Sequence, residues 1–334
     1  MQYHRIKREK DFIYTDKKDN IVDDRQLKAW FKSLAIPPVW ERVEINSPRA
    51  KIWATGFDIK GRKQYIYNSK FRQKQAEQKF DRIVRFADQL EPMRALTGQH
   101  LRKRKLPREK VLAAMVRLLE SACFRPGNEV YTKENESYGL TTLRSKHLSI
   151  EGDELIFSYK GKSGVQQEKH VIDAHLAKIV KELDDISGYE IFKYIDDQDH
   201  VQNITTNDLN DYIHEIMGGE FSAKDFRTWA GTVMAAVSLD EIGIVEEDDQ
   251  KNLKKNIHEA IIAVSRKLGN TPAIARDAYI DPRIIDNYIH GRTLSFFKKE
   301  VNKLLKINKK LSAAELGVVC LLKKQFNEKA KKKC

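Results

Sequence analysis

Between Val111 and Ala122, apolar residues recur at Val111, Leu112, Met115, Leu118, Leu119 and Ala122. That spacing is the period of one face of a helix. It predicts a helix opened by Pro107 and running to about Phe124, stopped by Arg125-Pro126-Gly127-Asn128. Beyond this stop the pattern shortens. Leu148–Ile150, Leu155–Tyr159 and Val165–Ile172 read as three strands joined by turns at 151–153 and 161–164, so Lys162 sits at a hairpin tip. Helical patterning returns over Leu176–Val201, Asn207–Met217 and a segment opened by Ser222, where Lys224 and Arg227 are three apart and share a face. The acidic stretch Asp240–Leu253 reads as a loop between helices. Thr271-Pro272 signals a new helix start, with Pro at the first helical position. Tyr279 lies near the end of that short helix, and Asn270 stands just outside it. Ile284–Ile289 and Leu304–Phe326 read as further helices, followed by a basic tail at Lys329–Lys333.

The first 75 residues are patterned differently, with polar stretches between short β-type runs. Ala35–Trp40 (A-I-P-P-V-W) reads as rigid and extended, because two prolines oppose both helix and ladder. Arg49–Thr55 and Gln64–Tyr67, separated by a turn at Gly56–Lys63, predict a hairpin of a small antiparallel sheet. Alternation puts Tyr65 and Tyr67 on one face and Ile66 on the other. Two readings of that face stand side by side. It is an aromatic core face, or it is a sheet face that lies in a nucleic-acid groove with Arg62, Lys63 and Gln64 beside it. Ser69–Arg85 is basic, helical in character and free of Gly and Pro. The fold class is therefore α+β: a small N-terminal antiparallel β-sheet domain with helices, then a larger, mainly helical domain with a short three-stranded sheet.

Composition sharpens this picture. The 334 residues suffice for two cores. A formal charge of +13 favours a polyanionic partner, nucleic acid before membrane. The longest late apolar run, Leu316–Leu322, is too short to span a bilayer, and the N-terminus with Arg5, Lys7, Arg8 and Lys10 is no signal peptide. Cys123, Cys320 and Cys334 form neither a disulfide framework nor a zinc spacing. A soluble, intracellular protein is expected. Neither a Gly-rich ATP loop nor a carboxylate cluster of metal spacing is present, so no cofactor and no metal are expected.

The segment L-G-N-T-P-A-I-A-R-D-A-Y-I (Leu268–Ile280) resembles the active-site tyrosine segment of type IB DNA topoisomerases, in the small form of poxviruses and many bacteria. Other stretches are similar to further parts of that family: C-F-R-P-G-N around Arg125 to its first-arginine motif, the hairpin with Lys162 to its catalytic-lysine hairpin, K-D-F-R (Lys224–Arg227) to its second-arginine segment, and I-P-P-x-W and G-R-K-Q-Y-x-Y to its N-terminal domain. The resemblance runs from about Leu34 to Tyr279. Pro126 departs from it, since an apolar residue is expected there.

The resemblance implies residues 1–76 as a DNA-clamping domain and 77–334 as the catalytic domain. It implies Tyr279 as nucleophile, Arg125 and Arg227 as the catalytic arginines, Lys162 as general acid and Asn270 as a neutral donor to a phosphate oxygen. Arg62, Lys63, Gln64, Tyr65, Tyr67, Tyr131 and Lys224 would touch double-stranded DNA, and the enzyme would be a monomer closing as a clamp. The runner-up is a tyrosine recombinase, which shares this core but usually carries His three residues before its second arginine, where this chain has Lys224.

Overall fold

A computed structural model of the chain describes residues 2–9, 11–246 and 249–331, the last eight of these by backbone alone. It divides into two compact units, 1–80 and 81–334, the division falling inside one helix.

The first unit is a five-stranded antiparallel sheet in the order β2-β1-β3-β4-β5, formed by β1 (Gln2–Arg8), β2 (Asp11–Asp16), β3 (Glu41–Asn46), β4 (Ile52–Phe57) and β5 (Lys63–Tyr67). Helix α1 (Arg25–Ser33), capped by the Asp24 carboxylate, presses Phe31 onto the sheet beside Tyr3, Val43 and Ile45. The first two strands were not legible, because β1 carries four cationic side chains in seven residues (His4 counted among them). One of these, Arg5, is buried, and its guanidinium donates to the carbonyls of Ile36, Pro37 and Trp40 at 2.9 Å each. These bonds and a Trp40 N–H bond to the Pro37 carbonyl close Ala35–Trp40 into a turn, where an extended segment was expected. The hairpin of β4 and β5 has the expected place, with Thr55 opposite Tyr65.

The second unit begins within α2 (Ser69–Leu101) and continues through α3 (Arg108–Ala122) and α4 (Glu129–Asn135). Next comes the three-stranded sheet β6 (Leu148–Glu151), β7 (Glu154–Lys160) and β8 (Gln166–Ile172). Helix α5 (Ala174–Asp184) ends well before Val201, against expectation. Residues 193–203 instead form a ribbon, β9 (Lys193–Ile195) with β10 (Val201–Asn203). The Asp196 carboxylate accepts from the Gln198 and His200 amides, and this local turn displaces the helix. Helices α6 (Thr206–Met217), α7 (Ala223–Ile242), α8 (Gln250–Leu268), α9 (Pro272–Tyr279), α10 (Pro282–Ile289), α11 (Lys298–Ile307) and α12 (Ala313–Lys331) complete the unit.

The expected loop Asp240–Leu253 shrinks to the link between α7 and α8; Glu247 and Asp248 lie outside the described residues. The single helix expected over Leu304–Phe326 is broken after Ile307, where the Asn308 side chain accepts from the Lys310 and Leu311 amides. The side chains of the basic tail Lys329–Lys333 lie outside what is described. Helix α3 is the centre of the core: Val111 to Val116, Leu118 and Leu119 are all fully buried. No helix among the described residues is long and apolar enough to cross a membrane.

Candidate active site

Helix α3 ends at Cys123, whose left-handed φ of 54° turns the chain outward, and two residues later Arg125 enters a loop. The loop is fixed by backbone: the Arg125 and Pro126 carbonyls accept from Leu140 and Thr141 at 2.8 Å each. Asn128 then caps α4, which carries an exposed Tyr131. Lys162 lies at the β7–β8 hairpin tip, in a short 3-10 turn. A capping box between Ser222 and Asp225 starts α7 and sets Lys224 and Arg227 in its first turns. Lys224 is exposed while Arg227 is buried, so the expected shared face is only partly shared. Thr271 and Pro272 start α9 as expected, and Tyr279 is its last residue.

Tyr279 is placed by α7. A side chain at Gly231 would stand 2.6 Å from the Tyr279 carbonyl oxygen, so only glycine allows the two helices this close. Arg125, Lys162, Arg227 and Tyr279 line one cleft of about 320 Å³, together with Tyr131, Lys224, Pro126, Gly127, Asn128, Ser137 and Tyr138. No carboxylate is among these residues, so three cations from separate segments, with Lys224 beside them, share the cleft with one phenol. A larger cavity of about 840 Å³ lies elsewhere, between α2, α3, α5 and Lys309–Lys310.

The electrostatics follow from this. Burial pushes the Tyr279 phenol upward, but Arg227, Arg125 and Lys162 oppose it and win, leaving the pKa below the usual 10.0. The Arg227 guanidinium carbon is 5.0 Å from the Tyr279 ring centroid. Burial and the neighbouring Arg227 pull Arg125 below its ordinary value. Arg125 donates to the Asn270 side-chain oxygen at 2.5 Å, whereas the buried Asn270 Nδ2 has no hydrogen-bond partner among the described residues. Arg227 donates to the carbonyls of Cys123 and Leu268, and its Nε likewise has no partner among them.

The remaining predicted contacts lie in the first unit. Tyr65 and Tyr67 are 44% and 41% exposed and stack on each other at 6.0 Å, which excludes the core reading of that face. Ile66 packs inward against the sheet's core. Lys63 is exposed with its ammonium 6.0 Å from the Tyr65 ring. Arg62 and Gln64 both donate to the Asp58 carboxylate, whose pKa Arg62 and the turn amides lower to about 2. Sequence reasoning missed Ser137 and Tyr138 in the cleft. It also missed Gln167 and Lys169 on the buried face of β8, where alternation was the available signal.

Residues 68–307 match the family model described as eukaryotic DNA topoisomerase I, catalytic core, and residues 11–58 match that of the bacterial DNA topoisomerase IB N-terminal domain. Over 256 residues the chain is 33% identical to the DNA topoisomerase 1B of Acanthamoeba polyphaga mimivirus, covering 74% of this chain and 75% of that one. It is 28% identical over 234 residues to the DNA topoisomerase 1B of vaccinia virus (strain Copenhagen), 69% and 70% of the two chains. A DNA topoisomerase 1 of Mycosarcoma maydis is 25% identical over 197 residues, 53% of this chain but 19% of that one. These matches define the class first: an enzyme of DNA topology. Within that class the chain belongs to the type IB DNA topoisomerase family.

Proposed function

We propose that the chain relaxes supercoiled duplex DNA by transient cleavage of one strand, with Tyr279 as the nucleophile. The observation that carries this is the meeting of Tyr279 with Arg125, Arg227 and Lys162 in a cleft without carboxylates. The phenolate oxygen attacks phosphorus, the bond to the 5′ oxygen breaks, and a 3′-phosphotyrosyl linkage conserves the ester. Arg125 and Arg227 stabilise the charge that develops on the non-bridging oxygens, more in the transition state than in the ground state. The Asn270 Nδ2, without a partner among the described residues, supports a neutral donor role at one of these oxygens. Lys162 protonates the leaving 5′ oxygen. The cleaved strand swivels about the intact one, and its 5′-hydroxyl reverses the reaction, so neither ATP nor a metal is consumed. The N-terminal sheet face with Tyr65, Tyr67, Arg62, Lys63 and Gln64 grips the duplex, and Tyr131 and Lys224 contact it near the cleft. The protein acts as a monomer that closes as a clamp, inside the cell or in a viral compartment with DNA.

The test is relaxation of a supercoiled circle in chelator without ATP, beside a Tyr279→Phe variant. Wild type should relax the circle and leave a covalent adduct on a nicked duplex. Tyr279→Phe should bind DNA within about threefold of wild type and form no adduct, since only the nucleophilic oxygen is lost. A normal adduct level in the variant would remove Tyr279 from the role.

A further inference from the structure

The last turn of α8 is where three cations meet. The consecutive carbonyls of Lys267, Leu268 and Gly269 accept hydrogen bonds from Lys169 Nζ at 2.9 Å, Arg227 Nη2 at 2.8 Å and Arg125 Nη2 at 3.2 Å. Carbonyls at a helix C-terminus lack partners within the helix and carry the negative end of its dipole, so they suit cationic donors. The next residue is Asn270, whose side-chain oxygen accepts from the same Arg125 nitrogen. One short stretch of backbone therefore holds two arginines and the asparagine.

Lys169 has no part in the chemistry proposed above, yet it is buried to 9% exposure on the inner face of β8. Its neighbour on that face, Gln167, packs against the same turn. A Cβ on Gly269, whose φ is +61°, would collide with the Gln167 side-chain amide. Gln167 also packs against Gly161, next to Lys162, where a Cβ would lie 2.8 Å from Gln167 Cγ. The inner face of β8 thus touches both the Lys162 hairpin and the turn whose carbonyls accept from the arginines. Burial, and then Arg227, Lys267 and Arg125, pull the Lys169 ammonium down to about 8 against the raising effect of the Cys123 thiol. A lysine in so cationic a place is costly unless its donor has work to do.

We propose that Lys169 is a positioning residue: through the Lys267 carbonyl it pins the C-terminal turn of α8, and so sets Arg125, Arg227 and Asn270 for the phosphate. This rests on the reading of those three residues as transition-state donors.

The experiment is a single-turnover cleavage rate on a nicked duplex, with DNA affinity measured separately. Wild type must first form the Tyr279 adduct; its absence would sink the reading of the site and the role of Lys169 with it, whereas the outcomes below bear on Lys169 alone. Lys169→Met should cleave between about tenfold and 10²-fold more slowly, the effect of misplacing a catalytic group by about 1 Å. Its DNA affinity should stay within about threefold, and Lys169→Arg, which keeps a cationic donor, should recover most of the rate. On a substrate with sulfur as the 5′ bridging atom, Lys169→Met should remain as slow, because a better leaving group does not replace a displaced arginine. Should Lys169→Met not fold, Lys169→Gln takes its place under the same criteria. A wild-type rate for the variant, or full recovery on the sulfur substrate, overturns the proposal. A Lys169→Arg variant as slow as Lys169→Met would reduce the role to packing and overturn it as well.

Discussion

Tyr279 shows at the residue scale how position alters a side chain. Its phenol is half-buried, which alone would raise its pKa, yet the charges of Arg227, Arg125 and Lys162 bring it below 10.0. The phenolate thus forms more readily here than at an ordinary tyrosine, and DNA-free protein should gain tyrosinate absorbance at a lower pH than an exposed tyrosine. The difference titration of wild type against Tyr279→Phe should have its midpoint below 10.0. Arg125→Ala should move that midpoint up and Arg227→Ala should move it further, since burial stays and the opposing charge goes. A wild-type midpoint at or above 10.0 would mean that the cations do not outweigh burial. Arg227 was legible as a candidate from its motif, but its burial and its two carbonyl partners were not. They depend on residues 104 and 41 positions away.

At the scale of elements, the segment between α4 and β6 fixes the loop that presents Arg125, and its anchor is testable by pH. His147 is buried, its Nδ1 accepts the Arg144 amide at 3.1 Å, and its ring packs edge-on against Tyr138 of the cleft. Burial first, then Lys146 and Arg144, lower its pKa from 6.5 to about 4. The unfolded chain therefore takes up a proton that the folded chain refuses. Stability from this group is complete above pH 6.5 and is lost as pH falls through about 4. The loss should amount to about 1–2 kcal/mol once solvent screening is allowed for, a tenfold change in proton affinity being worth about 1.36 kcal/mol. Denaturant melts at pH 7.5, 6 and 4.5 should show wild type losing stability more steeply than His147→Phe. Parallel losses in the two proteins would sink the assignment. The three strands of the sheet that carries the Lys162 hairpin were readable because their alternation is local. The β9–β10 ribbon was not, because a polar turn at Asp196 outweighs a run of residues that individually tolerate helix.

For the molecule as a whole, the net charge of +13 bears on how the chain meets DNA. Phosphate contacts release counterions, so a footprint of six or more of them should lower affinity by roughly 10³-fold between about 50 and 200 mM salt. A nearly salt-independent affinity would contradict a phosphate-tracking surface. On the proposed reading of that face, Tyr65 and Tyr67, exposed and stacked, would add contacts that salt does not screen. Replacing both with Ala should weaken binding or change the cleavage pattern while the melting temperature stays within a few degrees, as expected for exposed positions. Unchanged affinity and cleavage pattern would take that face out of the interface.

Local patterning was enough for the helix face of α3, the β4–β5 and β7–β8 hairpins, the start of α9 and the resemblance to the family. These rest on short-range periodicity, caps and turn residues, and on motifs that survive without knowledge of their surroundings. Tertiary structure alone decided that Arg5 would be consumed by a proline turn, that Tyr65 and Tyr67 would face outward, and that Lys169 would end beside the arginines on the last turn of α8. A charged side chain on a strand carries no mark of where its ammonium will land, because its partner is a backbone carbonyl 98 residues away, brought there by the packing of β8 against a helix end.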